Sequence, residues 1–261
     1  MISFAAAPSA TSPFVAIAVT SLVIVGLLVG PRYLLGPLLV HRRRGQLPAQ
    51  FVAATSTPAS LQPARTHLDQ VGLSLEAAGF VPTPPGVPLT TKSNRPALVQ
   101  LFINPATGDV ATVMAIASKK GLHTLQGFTT HFADGTACYT GNGRLPAALP
   151  TRPGHVRHRF PSERDPARLY ALHRVAVASA KDKVRRPSLI ADGVDYQHEQ
   201  ERKSRQWMID SGYYRLDGDR LQSTWKGAFL GVWRHLPPWR TFSERRDERM
   251  RRRLVALSAA T

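Results

Sequence analysis

The hydrophobic pattern of the chain is dominated by one apolar run near its start. From Phe14 to Gly30 no side chain is charged, and apolar residues recur as far as Val40. A helix needs about 20 apolar residues to cross the core of a bilayer, so this run predicts a transmembrane anchor over 13–40. A cleaved signal peptide and a buried core helix are the alternatives. The predicted anchor residues are Phe14, Ile17, Leu22, Ile24, Leu27 and Leu28.

The charge around this run predicts its orientation. The first 13 residues carry no charged side chain, whereas His41 and three arginines follow the run directly. Cationic flanks remain on the cytoplasmic side of a membrane. We therefore expect a single-pass protein with residues 1–12 outside and the large domain in the cytoplasm. The flanking arginines, predicted to contact lipid headgroups or a partner protein, are Arg42, Arg43 and Arg44.

A second pattern, of β-rich runs, follows a basic flank and linker over 41–63. Four such runs alternate with turn residues, and Asp134-Gly135 between the last two is a strong hairpin signal. Apolar residues at helical spacing over 68–79 precede them. This order predicts an α+β domain over 64–180, in which helices pack on a four-stranded antiparallel meander. The runs are 97–103, 110–116, 122–132 and 136–140.

Helical periodicity dominates 181–261, which we interpret as a basic C-terminal extension. Three of the four tryptophans lie in one cationic segment of it, and on a helix Trp225, Phe229 and Trp233 fall along one side, with Trp239 just beyond. Two interpretations of this segment stay open, a core helix or an interfacial or partner-facing helix. The predicted helices of the second half of the chain are 162–180, 194–211, 224–235 and 243–259, with a strand pair at 213–216 and 220–223.

The charge of the chain is strongly positive. Lys and Arg number 34 against 17 Asp and Glu, which gives a net charge of +17. Such a field favours phosphate-rich partners. Nucleic acid is therefore a candidate partner beside membrane lipids and an integral-membrane protein. It ranks behind them because the basic residues form no recognised DNA-reading helix.

The sequence contains no motif for catalysis, cofactor binding or metal binding. Walker, dinucleotide, kinase, HExxH and nucleophile-elbow signatures are missing. A two-residue turn in the last predicted hairpin would set His131 opposite Cys138, the single cysteine. No third group accompanies them, so we interpret Cys138 as a half-buried structural residue. His155 and His158 lie in a connector without nearby carboxylates. We expect no catalytic residue, no metal and no cofactor.

Four short segments resemble those of bacterial membrane-anchored proteins of unknown function. They are Gly127-Phe-Thr-Thr-His-Phe-Ala-Asp-Gly135, Leu169-Tyr-Ala-Leu-His173, Tyr213-Tyr-Arg-Leu216 and Thr224-Trp-Lys-Gly-Ala228. The resemblance spans roughly 68–238 and consists of structural residues. It implies a location in the bacterial inner (cytoplasmic) membrane and no particular chemistry.

Together these patterns predict a non-enzymatic accessory or scaffolding subunit of a bacterial membrane protein complex. The anchor, the basic flank and the Trp-rich segment all suit contact with a membrane-bound partner. A membrane-tethered nucleic-acid-binding protein is the alternative, supported by the net charge. A thiol-dependent or hydrolytic enzyme is the second alternative.

Overall fold

The computed structural model describes residues 13–43, 45, 50–91, 97–118, 121–144, 148–180, 183–186 and 190–259. The predicted outer segment 1–12 and the predicted contact residue Arg44 lie outside the described residues. The side chains of four predicted anchor residues also lie outside them, namely Leu22, Ile24, Leu27 and Leu28.

A mixed β-sheet of eight strands forms the centre of the described structure. Its strands are β1 (Phe51–Ala53), β2 (Val81–Pro82), β3 (Leu89–Thr91), β4 (Ala97–Ile103), β5 (Val110–Ser118), β6 (Gly121–His131), β7 (Ala137–Gly141) and β8 (His155–Arg159). In space they run β1-β3-β4-β5-β6-β7-β8, and β2 pairs with β4 beside β3. Neighbouring strands are antiparallel except β7 and β8, which are parallel.

The predicted four-stranded meander is wrong as a description of this sheet. Strands β4 to β7 match the four predicted runs to within two residues. However, β1, β2 and β3 extend one edge, and β8 adds a parallel strand at the other. The strands β1, β2 and β3 have only two or three residues each, too few to show an alternating pattern. Strand β8 reads His155-Val-Arg-His-Arg159, and its polar composition is that of a connector.

The hairpin between β6 and β7 has a three-residue loop, one residue longer than predicted. Gly135 closes it with φ +79°, a left-handed conformation that glycine adopts without strain. Cys138 consequently pairs with Thr130 and not with His131. Because successive strand residues point to opposite faces, His131 and Cys138 lie on opposite faces of the sheet. The predicted facing pair is wrong.

The helices are α1 (Pro13–Arg42), α2 (Gln62–Ala77), α3 (Pro166–Ala178), α4 (Gly193–Asp210), α5 (Trp225–Trp233) and α6 (Trp239–Ala259), and a strand pair, β9 (Tyr214–Asp217) and β10 (Arg220–Ser223), precedes α5. The side chains of Asp165, Asp192 and Thr224 accept backbone N–H bonds at the starts of α3, α4 and α5. Asp165 is therefore the N-cap of α3, which begins four residues later than predicted.

Two apolar clusters cover the two faces of the sheet. The larger cluster joins α2 and α3 to the first face, where the rings of Phe80, Phe128 and Tyr170 pack with centroids 4.8–5.6 Å apart. The smaller cluster lies beneath the start of α4, with Val194 and Tyr196 over the second face. Its strand residues come from β1, β3, β4 and β5. Among the described residues, strands β6, β7 and β8 contribute no side chain to this smaller cluster.

Helix α1 packs on the domain through its C-terminal third, and the predicted transmembrane anchor is wrong. Among the described residues, none of the helices combines the length and the apolar content that crossing a membrane demands. Trp233 of α5 donates from Nε1 to the Tyr33 carbonyl at 3.2 Å, and the His41 ring stacks on Trp225 with centroids 4.3 Å apart. The single-pass topology, its orientation and the inner-membrane location depended on that anchor and are wrong with it.

Candidate binding surfaces

The first half of α1 exposes apolar side chains around the helix. Phe14 is 81% exposed and Ile17 is 64% exposed. Val15, Val19 and Val23 are exposed as well, and at about 3.6 residues per turn these five positions are spread over the circumference. A helix that is apolar all round is ordinarily buried. The first half of α1 therefore has a surface typical of a buried helix, but it is exposed to solvent.

Exposed apolar residues continue along α1 and onto α5, and we call this set the α1–α5 apolar surface. Phe229 of α5 is half-buried between two tryptophans, with ring centroids 6.0 and 5.2 Å away. Trp225 and Trp233 thus pack against Phe229 on one side and are exposed on the other, which leaves both interpretations of the Trp-rich segment open. The members of the surface are Phe14, Val15, Ile17, Val19, Val23, Leu34, Leu35, Leu39, Trp225 and Trp233.

The other predicted contact residues are exposed near the two ends of this arrangement. Arg42 and Arg43 lie at the end of α1 and are exposed. Trp239 at the start of α6 is 55% exposed and stands against Phe242, with ring centroids 6.2 Å apart. The structure therefore leaves all of the described contact candidates accessible, apart from the half-buried Phe229.

A basic cleft lies between β8 and α6. Its volume is about 380 Å³, which falls in the range of small-ligand sites, ~300–1,000 Å³. Among the described residues, its lining contains five arginines, two histidines and a single carboxylate, that of Asp247. The cationic and histidine residues are Arg157, Arg159, Arg234, Arg246, Arg251, His155 and His158.

Two ion pairs shape the cleft and leave part of its charge unbalanced. The buried Arg159 donates from Nε to Asp247 at 2.8 Å, which holds α6 against the end of β8. Arg251 pairs with Glu248 one turn earlier on α6. The other three arginines have no carboxylate within ion-pair distance among the described residues. They are Arg157, Arg234 and Arg246.

The two histidines of the cleft each keep a buried nitrogen without a hydrogen-bond partner in the described part of the chain. The atoms are Nε2 of His155 and Nδ1 of His158. Burial lowers the pKa of both rings; Arg152 lowers that of His155 further, whereas Asp247 opposes the change at His158. Both imidazoles are therefore neutral at pH 7. Buried polar atoms are nearly always hydrogen-bonded, so these two nitrogens are unsatisfied polar positions, one on each face of β8.

A second cleft of about 350 Å³ adjoins the first, and His155 lines both. It adds the cations Arg152, Arg186 and Lys203. Lys203 is balanced by Glu199 at 3.2 Å, whereas the two arginines have no carboxylate within ion-pair distance among the described residues. We call the two clefts together the basic track.

Tyr139 lies flat across a glycine pair beside the basic track. Gly127 and Gly141 are register partners on the second face of the sheet. A Cβ atom at either position would stand within 2.8 Å of Tyr139 Cζ, closer than van der Waals contact allows. The Arg157 guanidinium stacks over the Tyr139 ring, 4.9 Å from its centroid, and Arg157 is itself exposed. The glycines thus make room for an aromatic ring that supports an exposed guanidinium plane.

A buried polar network ties α3 to the sheet. Asp109, Thr130, Thr140 and His173 are each at most 1% exposed. Asp109 accepts from Thr130 and from Tyr170, the latter at 3.0 Å. The His173 nitrogens lie 2.9 and 3.0 Å from the hydroxyls of Thr130 and Thr140. Burial lowers the pKa of His173 to about 4, so its ring is neutral. An enclosed network of this kind positions α3 and has no room for a substrate.

The thiol of Cys138 is enclosed in the core on the first face of the sheet. Cys138 is 3% exposed, and burial, assisted by the negative charge of Asp109, raises its pKa to about 12. His131, on the second face, instead lies 3.0 Å from the Tyr196 hydroxyl. Thiol chemistry requires a thiolate and access to it, and the surroundings of Cys138 provide neither.

The two histidines considered as metal ligands in the sequence are separated by their positions in the fold. His155 and His158 are three residues apart on β8 and so point to opposite faces. No group of three His, Cys, Asp or Glu side chains within the described ranges is close enough to hold a metal ion.

The basic cleft was not predicted because its walls are far apart in the chain. Arg159 and Asp247, which join the walls, are separated by 88 positions. The available signal was the density of Arg and His between 152 and 159, which looked like a polar connector.

No known protein family, curated protein or solved structure matches this chain.

Proposed function

We propose that this protein is a non-enzymatic accessory or scaffolding subunit that binds a partner protein through α1. The observation that carries the proposal is the exposure of apolar side chains around the first half of that helix, from Phe14 to Val23. Burying a side chain such as Phe or Ile is worth about 1.5–3 kcal/mol. A partner that encloses this helix gains that stabilisation at several positions.

The charges near the helix indicate the chemistry of the partner's surface. Neither α1 nor α5 contains an acidic residue, whereas Arg32, Arg42 and Lys226 are cationic. Complementary charge directs association and suppresses wrong partners. Grooves bind helices through their apolar side chains, so the matching surface is an apolar groove, and charge complementarity adds carboxylates at its rim.

The packing of α1 on α5 supports this role because it fixes the direction in which the exposed half of α1 projects. The bond from Trp233 to the Tyr33 carbonyl and the stack of His41 on Trp225 hold the C-terminal third of the helix. A binding element held in place before the encounter loses less conformational entropy on association. The Trp-rich segment thus contributes to binding as the support of α1.

The proposal is tested by recovering the full-length protein from its native host under gentle extraction. Native gels and mass spectrometry then compare wild type with the double variant Ile17→Asp, Val19→Asp. The matched control is Val184→Asp, Leu216→Asp, which changes two exposed apolar residues elsewhere in the structure. We expect one fixed partner with wild type and with the control, and its loss with the α1 variant.

Two results would contradict the proposal. The first is a partner that is retained equally by the α1 variant and the control, since binding would then not involve α1. The second is a protein that migrates alone under every extraction condition, which would exclude a subunit role.

A further inference from the structure

We propose that the basic track binds single-stranded nucleic acid, with phosphates on its arginines and one base stacked on Arg157. This activity is separate from the partner-protein contact at α1, and the two share no residue that carries the argument. It would make the protein a subunit that presents a bound strand to its partner.

The positive charge of the basic track is enough to bind several phosphates in a row and is more than a single phosphate would balance. Arg234 and Arg246 lack a carboxylate partner in the first cleft, and Arg152 and Arg186 lack one in the second, among the described residues. His155 lines both clefts, so the four guanidinium groups line two adjoining cavities. Arginine forks are suited to phosphate oxygens, and a strand that runs from one cavity to the other would place successive phosphates on them.

The stack of Arg157 on Tyr139 supplies a site for a base. The Tyr139 ring rests on Gly127 and Gly141 and supports one side of the guanidinium, while Arg157 is exposed to solvent. Guanidinium planes and aromatic rings are the surfaces on which unpaired bases stack in single-strand recognition. Because Arg157 also lines the first cleft, this base would belong to the strand whose phosphates lie there.

A duplex fits this arrangement less well than a single strand. The cleft arginines of α6 face β8 across a cavity, so they do not project from a free helix that could enter a major groove. A base can stack on Arg157 only when it is not paired in a duplex. The concave track therefore selects single strands.

The experiment measures fluorescence anisotropy of a labelled oligonucleotide of about 16 nucleotides with the full-length protein, single-stranded and as the matching duplex. Salt is varied from ~50 to ~200 mM to obtain the slope of log affinity against log salt. The variants are Arg246→Ala for a phosphate contact and Arg157→Lys, which keeps the charge but removes the plane. Arg249→Ala is the matched control, because Arg249 is exposed on the same helix but does not line the cleft.

We expect the single strand to bind more tightly than the duplex. Arg246→Ala should reduce the salt slope by about 0.7, the value for one phosphate contact on a single strand. Arg157→Lys should weaken binding at least about fivefold, the smallest loss that corresponds to one stacked base, and leave the slope unchanged. Arg249→Ala should match wild type.

Four outcomes would overturn the proposal. They are no binding of the single strand at the lowest salt, tighter binding of the duplex, equal losses for Arg246→Ala and Arg249→Ala, and full affinity of Arg157→Lys. Inorganic phosphate is the remaining probe. If millimolar phosphate raised the melting temperature while the oligonucleotide did not bind, the track would be a site for a free anion instead.

Discussion

His173 should make the folded state lose stability as the pH falls from about 6.5 towards 4. In the folded protein burial lowers the pKa of His173 from 6.5 to about 4. Between these two values the unfolded chain binds a proton that the folded protein excludes. Stability therefore rises with pH through this window and is fully present above the pKa of the unfolded chain.

The size of the effect follows from the two pKa values. Each unit between them corresponds to about 1.4 kcal/mol, so moving from 6.5 to about 4 gives on the order of 3 kcal/mol. Four other histidines have pKa values that burial lowers, and they act in the same direction. The wild-type protein should consequently lose more stability over this pH range than His173 alone accounts for.

Urea denaturation followed by circular dichroism between pH 4 and 7 measures this dependence. The variant His173→Leu leaves the hydroxyls of Thr130 and Thr140 without the imidazole and should cost about 1–3 kcal/mol at pH 7. It should also flatten the pH dependence by the share of His173. Thr140→Val is the matched control, because it removes one bond of the same network and keeps the buried ring. A His173→Leu variant with the wild-type pH slope would refute the reasoning.

Three further predictions concern close contacts. Gly141→Ala should cost about 1–3 kcal/mol in urea denaturation because its Cβ would displace Tyr139, and unchanged stability would show that the ring does not rest there. Asp247→Ala should leave the buried Arg159 unpaired and lower the free energy of unfolding by about 3 kcal/mol. Trypsin should then cleave α6 faster, and an unaltered digest would contradict this. Gly36→Leu should separate α1 from α5, because even a Cβ atom at this position would lie 2.9 Å from a side-chain carbon of α5. The tryptophan emission should then shift to longer wavelength, and an unshifted spectrum would count against this packing.

The sequence was informative where local chemistry decides the structure. The β-rich residues of 97–103 and the turn chemistry after them specify β4 and the loop to β5, and the Asp-Gly turn before β7 was recognisable. The register of β6 and β7 was not, because a loop of two or three residues is compatible with the same turn residues. That one-residue difference moved His131 to the face opposite Cys138.

Other features depend on partners that are distant in the chain. Strand β8 has almost no apolar residues, and it is a strand because β7 supplies its hydrogen bonds. The cleft arginines are scattered along the sequence, and only the packing of α6 on β8 gathers them. The apolar run of α1 was predicted to cross a membrane, which is wrong: among the described residues no helix is long and apolar enough to do so. The packing of its last third on α5 depends on residues about 190 positions away, which the local pattern does not show.

The two proposed binding surfaces meet at one point, and this determines which variants can separate them. Trp233 belongs to the α1–α5 apolar surface, and the next residue, Arg234, lines the basic cleft. A substitution at Trp233 would disturb the support of α1 and the cleft wall together, so a joint loss of both activities would not distinguish them. Ile17 and Arg246 lie on different helices and both are exposed, and Arg246 has no ion pair among the described residues. A loss of partner with retained nucleic-acid binding at the first position, and the reverse at the second, would therefore assign each activity to its own surface.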